Sequence, residues 1–285
     1  MADETLAIAL KLARKLKRTA GMFGGDYVED VRFGATGDAT YEVDEPMEAA
    51  VADFFTDARI PCRVMTEDTG VKDFGKDPRY IFLIDPLDGS RNLRRHLPLH
   101  CCSIASYGIG ANELSDSVCA VVERFDAKEE FTAVRGEGVF LNGKRISSSK
   151  KTTPDDAIIS LGSHFASTIP SFADYGRRLG RLTKRQERSI MVKCYGASAL
   201  ELAYLAAGYT DMFLDTRAGM GYKAALKTYD VAAGILLCTE AGAIVEYGSG
   251  RIPEKLPVDP YVPVMVAGAG NRELYRLLKK ASPFI

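Results

Sequence analysis

The stretch of sequence that decides the fold lies between residues 84 and 90. It reads Ile84-Asp85-Pro86-Leu87-Asp88-Gly89-Ser90. The apolar run from Tyr80 to Ile84 predicts a buried strand, so two carboxylates follow directly at a strand end. Buried anions are costly unless a positive charge compensates them, and Mg²⁺ prefers carboxylate and carbonyl oxygens as ligands. The stretch therefore indicates a site for divalent cations.

The residues between the two aspartates favour a tight turn. Pro86 fixes its own φ and pushes Asp85 toward an extended conformation, so Asp85 and Asp88 can converge with the Leu87 carbonyl between them. Gly89 has no Cβ, which leaves room for a ligand near the backbone. A helix that begins near Ser90 would offer free N–H groups to an anion. The alternative is an ordinary Asp-Pro/Asp-Gly turn with solvated carboxylates.

Further carboxylates occur at predicted element ends. Glu67-Asp68 follows the strand predicted over residues 60–66. Asp230 precedes an apolar segment with helical spacing, and Asp44 precedes the helix predicted over residues 45–57. For Asp44 and Asp230 the alternative interpretation is a helix N-cap.

These motifs give the chain a resemblance to the inositol monophosphatase family, within the fructose-1,6-bisphosphatase-like, lithium-sensitive phosphatases. The matching segments are 81–90, 230–242, the pair Glu67-Asp68, the archaeal-type segment 37–44, and 136–146. The resemblance runs over nearly the whole chain. It departs from the common pattern at Asp68, Ser90, Leu93 and Tyr229, and none of these changes removes an expected metal ligand.

The resemblance implies roles for matching positions. A first metal is held by Glu67, Asp85 and the Leu87 carbonyl, a second by Asp85, Asp88 and Asp230, and a weaker third by Asp68 through water. The catalytic residues implied are Glu67, Asp44 and Ser90, with Ser90 oriented by Asp44 toward the attacking water. Backbone N–H groups of Gly89 and Ser90 bind phosphate. The predicted substrate contacts are Asp88, Ser198, Asp215 and Arg217.

For Asp215 and Arg217 the alternative is a surface turn pair. The sequence does not assign a role to the basic residues near the motifs, which are Arg91, Arg94, Arg95, Lys223 and Lys227.

The implied reaction is Mg²⁺-dependent hydrolysis of a phosphate monoester of a small polyol or sugar, inositol 1-phosphate and/or fructose 1,6-bisphosphate. A metal-activated water attacks directly, with two or three Mg²⁺ per site and Mn²⁺ as a substitute. An alternative substrate is 3′-phosphoadenosine 5′-phosphate. More distant alternatives are an inactive binding protein and a nucleotide-binding oxidoreductase, the latter on the strength of Gly268-Ala269-Gly270 after an apolar run.

Composition excludes several classes of protein. The 285 residues carry a net charge of −1, with 46% apolar and 26% charged residues. No global field attracts nucleic acid or an anionic membrane, and no apolar run approaches the roughly 20 residues that span a bilayer. The acidic start Met1-Ala2-Asp3-Glu4 lacks a signal-peptide layout, so a cytoplasmic protein is expected. The six cysteines lack zinc-site spacing and are expected to be buried free thiols.

The pattern of elements predicts the fold class. Helices over residues 3–20 and 45–57 precede a run of strands, which favours an α+β half with an antiparallel-rich sheet. Strands and helices alternate after residue 157, which favours an α/β half. The polar segment 147–154 is interpreted as a solvated linker between a domain of residues 1–150 and one of residues 151–285. The resemblance implies a layered αβαβα sandwich of the sugar-phosphatase type and a homodimer.

Overall fold

Two β-sheets, separated by one pair of helices and covered by two more pairs, form the framework of the computed structural model of this chain. The structure describes residues 1–23, 31–33, 39–162, 169–182, 188–282 and 284–285. The α-helices in these ranges are α1 (Ala2–Ala20), α2 (Asp44–Ala58), α3 (Ser90–Arg94), α4 (Ile169–Gly180), α5 (Ser198–Ala206), α6 (Thr228–Glu240) and α7 (Arg272–Ala281). The strands are β1 (Val31–Phe33), β2 (Ala39–Tyr41), β3 (Cys62–Thr66), β4 (Gly70–Phe74), β5 (Tyr80–Asp88), β6 (Cys101–Gly108), β7 (Cys119–Arg124), β8 (Glu129–Val134), β9 (Gly138–Leu141), β10 (Lys144–Arg145), β11 (Ile158–Leu161), β12 (Met191–Lys193), β13 (Met212–Asp215), β14 (Leu226–Lys227), β15 (Ile244–Gly248) and β16 (Pro263–Ala269).

The first sheet has the strand order β10-β9-β8-β7-β6-β5-β3-β4. All neighbouring strands described in it run antiparallel except β3 and β5, which are parallel. The predicted antiparallel-rich sheet is therefore confirmed. Every residue of β5 is buried, because helices cover both faces of this sheet.

Helices α1 and α2 cover the outer face of the first sheet. In α1 the residues Ile8, Leu12 and Leu16 recur at helical spacing and are buried. The helix carries acidic residues in its first turn and basic residues in its last, which complements the helix dipole. The Lys17 ammonium donates to the Glu123 side chain and to two carbonyl oxygens, and thereby ties α1 to the end of β7.

The second sheet has the order β12-β11-β13-β16-β14, and β15 also pairs with β16. The pairs β11–β12 and β11–β13 are parallel, whereas β13, β14 and β15 each pair antiparallel with β16. The predicted alternation of strands and helices is present, but the sheet is mixed rather than purely parallel. Helices α4 and α7 pack with this sheet in a common apolar cluster on its outer face.

Helices α5 and α6 form the middle layer, between the two sheets. All nine residues of α5 are buried, as expected for a helix that is enclosed on every side. The two helices approach closely at Gly234, where a Cβ would lie 2.5 Å from the Leu202 Cβ. The layer order α1/α2, first sheet, α5/α6, second sheet, α4/α7 confirms the expected αβαβα sandwich.

The segment 147–154 is solvated only in part, because Ser148 and Ser149 are bound to the second half of the chain, whereas Lys150, Thr152 and Thr153 are exposed. Ser148 is buried and its Oγ donates to the Gly270 carbonyl at 2.9 Å. Ser149 Oγ donates to Asp211 Oδ1 at 2.5 Å. The division into domains of residues 1–150 and 151–285 stays a prediction, since helices from the second part form one apolar core with the first sheet.

Other sequence-based expectations meet mixed outcomes. All six cysteines are free, but Cys194 is exposed rather than buried. Residues 37 and 38 of the archaeal-type segment 37–44 lie outside the described residues. In the ranges that the structure covers, no helix combines the length and the apolar character needed to cross a membrane.

Candidate active site

The end of β5 carries the first carboxylate of the site. Pairing of β5 with β6 is interrupted by a bulge between Asp85 and Asp88. The Leu87 N–H donates to Asp85 Oδ1 at 2.9 Å, and Pro86 between them has no N–H to satisfy. Asp85 exposes only 2% of its surface and Asp88 9%. The alternative of a turn with solvated carboxylates is therefore wrong.

Asp88 is bound to the beginning of α5. Its Oδ2 accepts a hydrogen bond from the Ala199 N–H at 2.7 Å. Burial raises the pKa of Asp88 to about 7, although N–H groups of Ala199, Ser198 and Leu200 oppose the shift. The start of a helix favours a negative charge, so α5 stabilises the ionised form that metal binding requires.

Asp230 brings a carboxylate from the second half of the chain. It is the third residue of α6, and its Oδ2 accepts a hydrogen bond from the Lys227 N–H at 2.6 Å. Lys227 occupies the N-cap position, so the interpretation of Asp230 as the N-cap is wrong. Carboxylate oxygens of Asp85, Asp88 and Asp230 lie within 4.8 Å of one another. Three acidic side chains from two halves of the chain thus converge.

Burial and the charges of neighbouring carboxylates both raise the pKa values of acidic residues at this site. Burial, followed by the charges of Asp88 and Asp230, raises the pKa of Asp85 well above its ordinary value. Burial, followed by the charges of Asp85 and Asp230, raises the pKa of Glu67 in the same way. Because the donors are all oxygens and several carboxylates are brought close together, the cluster fits a hard divalent cation.

The turn that carries Glu67 and Asp68 is held by Glu48, a residue that the sequence analysis missed. Glu48 Oε2 accepts from the hydroxyls of Thr66 at 2.8 Å and Thr69 at 2.7 Å, and Oε1 accepts from the Asp68 N–H at 3.1 Å. Glu48 lies one helical turn after Asp44 on α2. This spacing is the sequence signal that Glu48 faces the same side as Asp44, since residues four apart share a helix face.

Asp44 is the first residue of α2, and the N-cap position belongs to Val43. The N-cap interpretation of Asp44 is therefore wrong by one residue. Its Oδ2 accepts a hydrogen bond from the Tyr41 N–H at 2.6 Å. Burial raises the pKa of Asp44 to about 7, since the charge of Asp68 adds to it and the Tyr41 bond only partly opposes it. A carboxyl with such a pKa can accept a proton near neutral pH.

Helix α3 begins at Ser90, as predicted, and Gly89 is its N-cap with φ 86°. A Cβ on Gly89 would lie 2.9 Å from the Leu99 carbonyl oxygen and 3.2 Å from the Ala197 Cβ. Glycine is required here by its positive φ and by packing of the protein itself. The expectation that the missing Cβ leaves space for a ligand is therefore wrong for that side of Gly89.

Asp215 and Arg217 form a buried ion pair rather than a surface turn pair. They expose 1% and 4% of their surfaces. Arg217 donates to Asp215 from Nη2 at 2.6 Å and from Nε at 2.9 Å, and its Nη1 donates to the Ala224 carbonyl at 2.8 Å. Gly162 makes room for the pair, because a Cβ there would overlap the Asp215 carboxylate. Ser198, the first residue of α5, is buried close by the Asp88 carboxylate.

Glu201 is a second residue that the sequence analysis missed. Its Oε1 accepts hydrogen bonds from the N–H groups of Tyr195 at 2.7 Å and Gly196 at 3.1 Å. Burial raises the pKa of Glu201 to about 7, and the charge of Asp215 adds to the shift. Glu201 thus fixes the backbone of the segment before α5, which includes Ala197, the residue that packs against Gly89. A lone acidic residue in an apolar helix was the available signal.

The Gly268-Ala269-Gly270 segment has a structural explanation. Gly268 and Ala269 lie in β16, and a Cβ on Gly270 would lie 2.7 Å from the Ser149 carbonyl oxygen. Protein atoms thus fill the space that a dinucleotide-binding turn keeps for pyrophosphate. This observation does not favour the oxidoreductase alternative.

Comparisons with known proteins agree with this geometry. The profile of the inositol monophosphatase family matches residues 3–284. The fructose-1,6-bisphosphatase/inositol-1-monophosphatase of Methanothermobacter thermautotrophicus is 30% identical over 277 residues, which cover 94% of this chain and 92% of that protein. The Nus factor SuhB of Escherichia coli is 33% identical over 247 residues, covering 86% and 85%. The crystal structure of the extragenic suppressor protein suhB from Bartonella henselae has a TM-score of 0.77 at 25% identity, covering 99% and 100%.

Proposed function

This chain belongs to the inositol monophosphatase family and is a phosphatase, and we propose that it hydrolyses the phosphate monoester of a small polyol or sugar with Mg²⁺ as cofactor. The substrates proposed are inositol 1-phosphate and/or fructose 1,6-bisphosphate, because the Methanothermobacter relative is named for both activities.

The observation that carries the proposal is the convergence of Asp85, Asp88 and Asp230, with carboxylate oxygens within 4.8 Å of one another. Such a group of like charges, with Asp85 buried and the other two largely shielded, is costly without a cation. Carboxylate and carbonyl oxygens are hard donors that favour Mg²⁺, with Mn²⁺ as a substitute.

The proposed ligands fall into three sets. Glu67, Asp85 and the Leu87 carbonyl would hold one cation, Asp85, Asp88 and Asp230 a second, and Asp68 a weaker third. Bound Mg²⁺ would supply a lowered pKa for a coordinated water and neutralise the charge that develops on phosphoryl and leaving oxygens.

The chain's own residues would orient the reaction around the phosphate. N–H groups of Gly89 and Ser90 would donate to phosphate oxygens, and the Ser90 hydroxyl would orient the attacking water. The water oxygen would form the new bond to phosphorus while the bond from phosphorus to the polyol oxygen breaks. The water proton would pass by way of Ser90 to Asp44, and the leaving polyol oxygen would take up a proton from solvent to become a hydroxyl. Asp44 suits that role because its buried carboxylate is held in place by the Tyr41 N–H.

The proposed contacts to the polyol are Asp88, Ser198, Asp215 and Arg217. Because Arg217 is bonded to Asp215 and to the Ala224 carbonyl, it would fix the Asp215 carboxylate toward a substrate hydroxyl. A direct contact between Arg217 and a second phosphate would require these bonds to open. A homodimer is part of the same proposal.

The test is phosphate release in Mg²⁺ from three substrates assayed side by side: inositol 1-phosphate, fructose 1,6-bisphosphate and 3′-phosphoadenosine 5′-phosphate. We expect either of the first two to be preferred. Preference for the nucleotide would overturn the substrate class, and no phosphate release from any of the three would overturn the proposed function.

A further inference from the structure

Two arginines on α3 enclose the side chain of Tyr41. Arg91 Nε donates a hydrogen bond to the Tyr41 hydroxyl at 2.8 Å. The guanidinium carbon of Arg94 lies 4.0 Å from the centroid of the Tyr41 ring, which is a close cation–π contact. Arg91 and Arg94 are three residues apart, so they project from the same face of the helix. Tyr41 is 8% exposed.

Tyr41 in turn holds Asp44. Its backbone N–H donates to Asp44 Oδ2 at 2.6 Å. This N–H lies outside α2, and Tyr41 ends β2, so the direction of the Asp44 carboxylate depends on where the tyrosine is fixed. The charge of Arg94 also reaches this carboxyl, since it lowers the pKa of Asp44 against the effect of burial.

Helix α3 is itself firmly attached. Leu93 is buried in the core beneath α1 and α2. Asn92 Nδ2 donates to the carbonyls of Leu99 at 2.8 Å and Tyr195 at 2.9 Å. The helix also begins with Ser90, the proposed partner of Asp44. One short, well-anchored helix thus bears Ser90 directly and contacts the residue that orients Asp44.

We propose that Tyr41, Arg91 and Arg94 form a clamp that positions the Asp44 carboxylate relative to Ser90. Tyr41 and Arg94 are positioning residues that act through Asp44, and they make no contact with the substrate. The inference rests on the proposed function of Asp44 and Ser90. It assigns a role to two of the arginines for which the sequence offered none.

The test measures kcat and KM for phosphate release in saturating Mg²⁺. Replacing Arg94 by Gln removes the cation from the ring, and we expect kcat to fall about tenfold while KM stays within about twofold, because misplacement of a catalytic group costs turnover. Arg94→Lys keeps a cation over the ring and should restore most of kcat. Tyr41→Leu should lower kcat at least as much as Arg94→Gln, and Tyr41→Phe less, because the phenylalanine ring still accepts Arg94.

A matched control removes an arginine–tyrosine contact elsewhere. Arg79 lies over the Tyr80 ring with its guanidinium carbon 5.0 Å from the centroid, and its side chain is 59% exposed. Arg79→Gln should leave kcat and KM unchanged. Thermal melts of each variant establish that it is folded, and if Tyr41→Leu does not fold, Tyr41→Phe and Arg94→Gln carry the test.

The double variant decides whether Tyr41 acts through Asp44. In the Asp44→Asn background we expect Tyr41→Leu to lower kcat no further. If Tyr41→Leu lowers kcat by the same factor in the Asp44→Asn background as in the wild type, Tyr41 does not act through Asp44 and the clamp is overturned. An unchanged kcat in Arg94→Gln, or a change in KM alone, would also overturn the clamp. None of these results would affect the proposed function. A wild-type kcat in Asp44→Asn alone would instead overturn the proposed role of Asp44, and the clamp with it.

Discussion

The carboxylate of Asp88 accepts a hydrogen bond at 2.7 Å from the backbone N–H of Ala199, which lies 111 residues further along the chain. Asp88 ends a strand of the first sheet, and Ala199 lies in the first turn of a helix between the two sheets. The contact joins the end of β5 to the start of α5, where Ser198, a proposed substrate contact, lies. The site is therefore built from both halves of the sequence.

Neutralising one carboxylate should stabilise the metal-free protein. Asp85→Asn keeps an oxygen that can accept from the Leu87 N–H, but it removes one charge from a buried cluster of like charges. We expect the free energy of unfolding of the chelator-treated protein to rise by about 1–3 kcal/mol. Mg²⁺ should raise the melting temperature of the wild type and not that of the variant. A lower metal-free stability in Asp85→Asn would contradict the electrostatic account.

The stability of the metal-free protein should depend on pH through Glu201. Its pKa is about 7 in the folded protein against an ordinary value of 4.5, so the folded state keeps a proton that the unfolded chain releases. The contribution of Glu201 to the free energy of unfolding is therefore greatest below about pH 4.5 and falls as the pH rises to about 7, by at most about 1.4 kcal/mol per pH unit.

The measurement is the difference in unfolding free energy between wild type and Glu201→Gln, because other titrating groups cancel in it. Gln keeps an oxygen for the N–H groups of Tyr195 and Gly196. We expect the wild type to lose stability relative to the variant between pH 5 and pH 7. A difference that is constant over this range would show that burial does not hold the proton.

A methyl group at Gly89 should destabilise the turn that carries Asp85 and Asp88. Gly89→Ala meets a positive φ and a carbonyl oxygen 2.9 Å away, and we expect a cost of roughly 2–4 kcal/mol in unfolding free energy. The matched control is Gly136→Ala, where φ is 80° and no atom lies within 4 Å, so strain of about 1 kcal/mol is expected. Equal losses of unfolding free energy in the two variants would mean that position 89 requires glycine because of backbone strain alone, and not because of packing against Leu99.

The buried pair of Asp215 and Arg217 should behave differently from an exposed pair. Arg217→Met leaves the Asp215 carboxylate buried without a cationic partner and with only the backbone N–H of residue 217 as a remaining donor from that position, at an expected cost of about 3–5 kcal/mol in unfolding free energy. Arg63 and Asp73 also form a two-bond pair, but both side chains are about two-fifths exposed. Arg63→Ala should cost less than about 1 kcal/mol. Similar losses at the two sites would contradict the burial argument.

The sequence predicts those parts of the fold and site that depend on local spacing. An apolar run followed by two aspartates indicates a strand end, and the apolar segment that follows Asp230 shows helical periodicity over residues 231–241. The short strands Gly70–Phe74 and Ile244–Gly248 were missed, because their apolar residues are few or only half-buried. The αβαβα layering followed from resemblance rather than from periodicity.

The residues that support the site could not be found in the same way. Glu48 acts on a turn 18 to 21 residues away, and Arg91 acts on Tyr41 at a separation of 50 residues. Such contacts depend on how helices dock on the sheet, which hydrophobic periodicity does not specify. The same holds for Asp215 and Arg217, whose burial is set by the second sheet.

The most direct test of the central claim, that the acidic cluster holds the cations needed for catalysis, is phosphate release by chelator-treated protein titrated with Mg²⁺. For the wild type we predict no release from inositol 1-phosphate or fructose 1,6-bisphosphate without Mg²⁺ and a saturable rise as it is added, and for folded Asp85→Asn a loss of at least about a thousandfold at every Mg²⁺ concentration. Wild-type turnover in excess chelator, or normal turnover by Asp85→Asn, would contradict the claim.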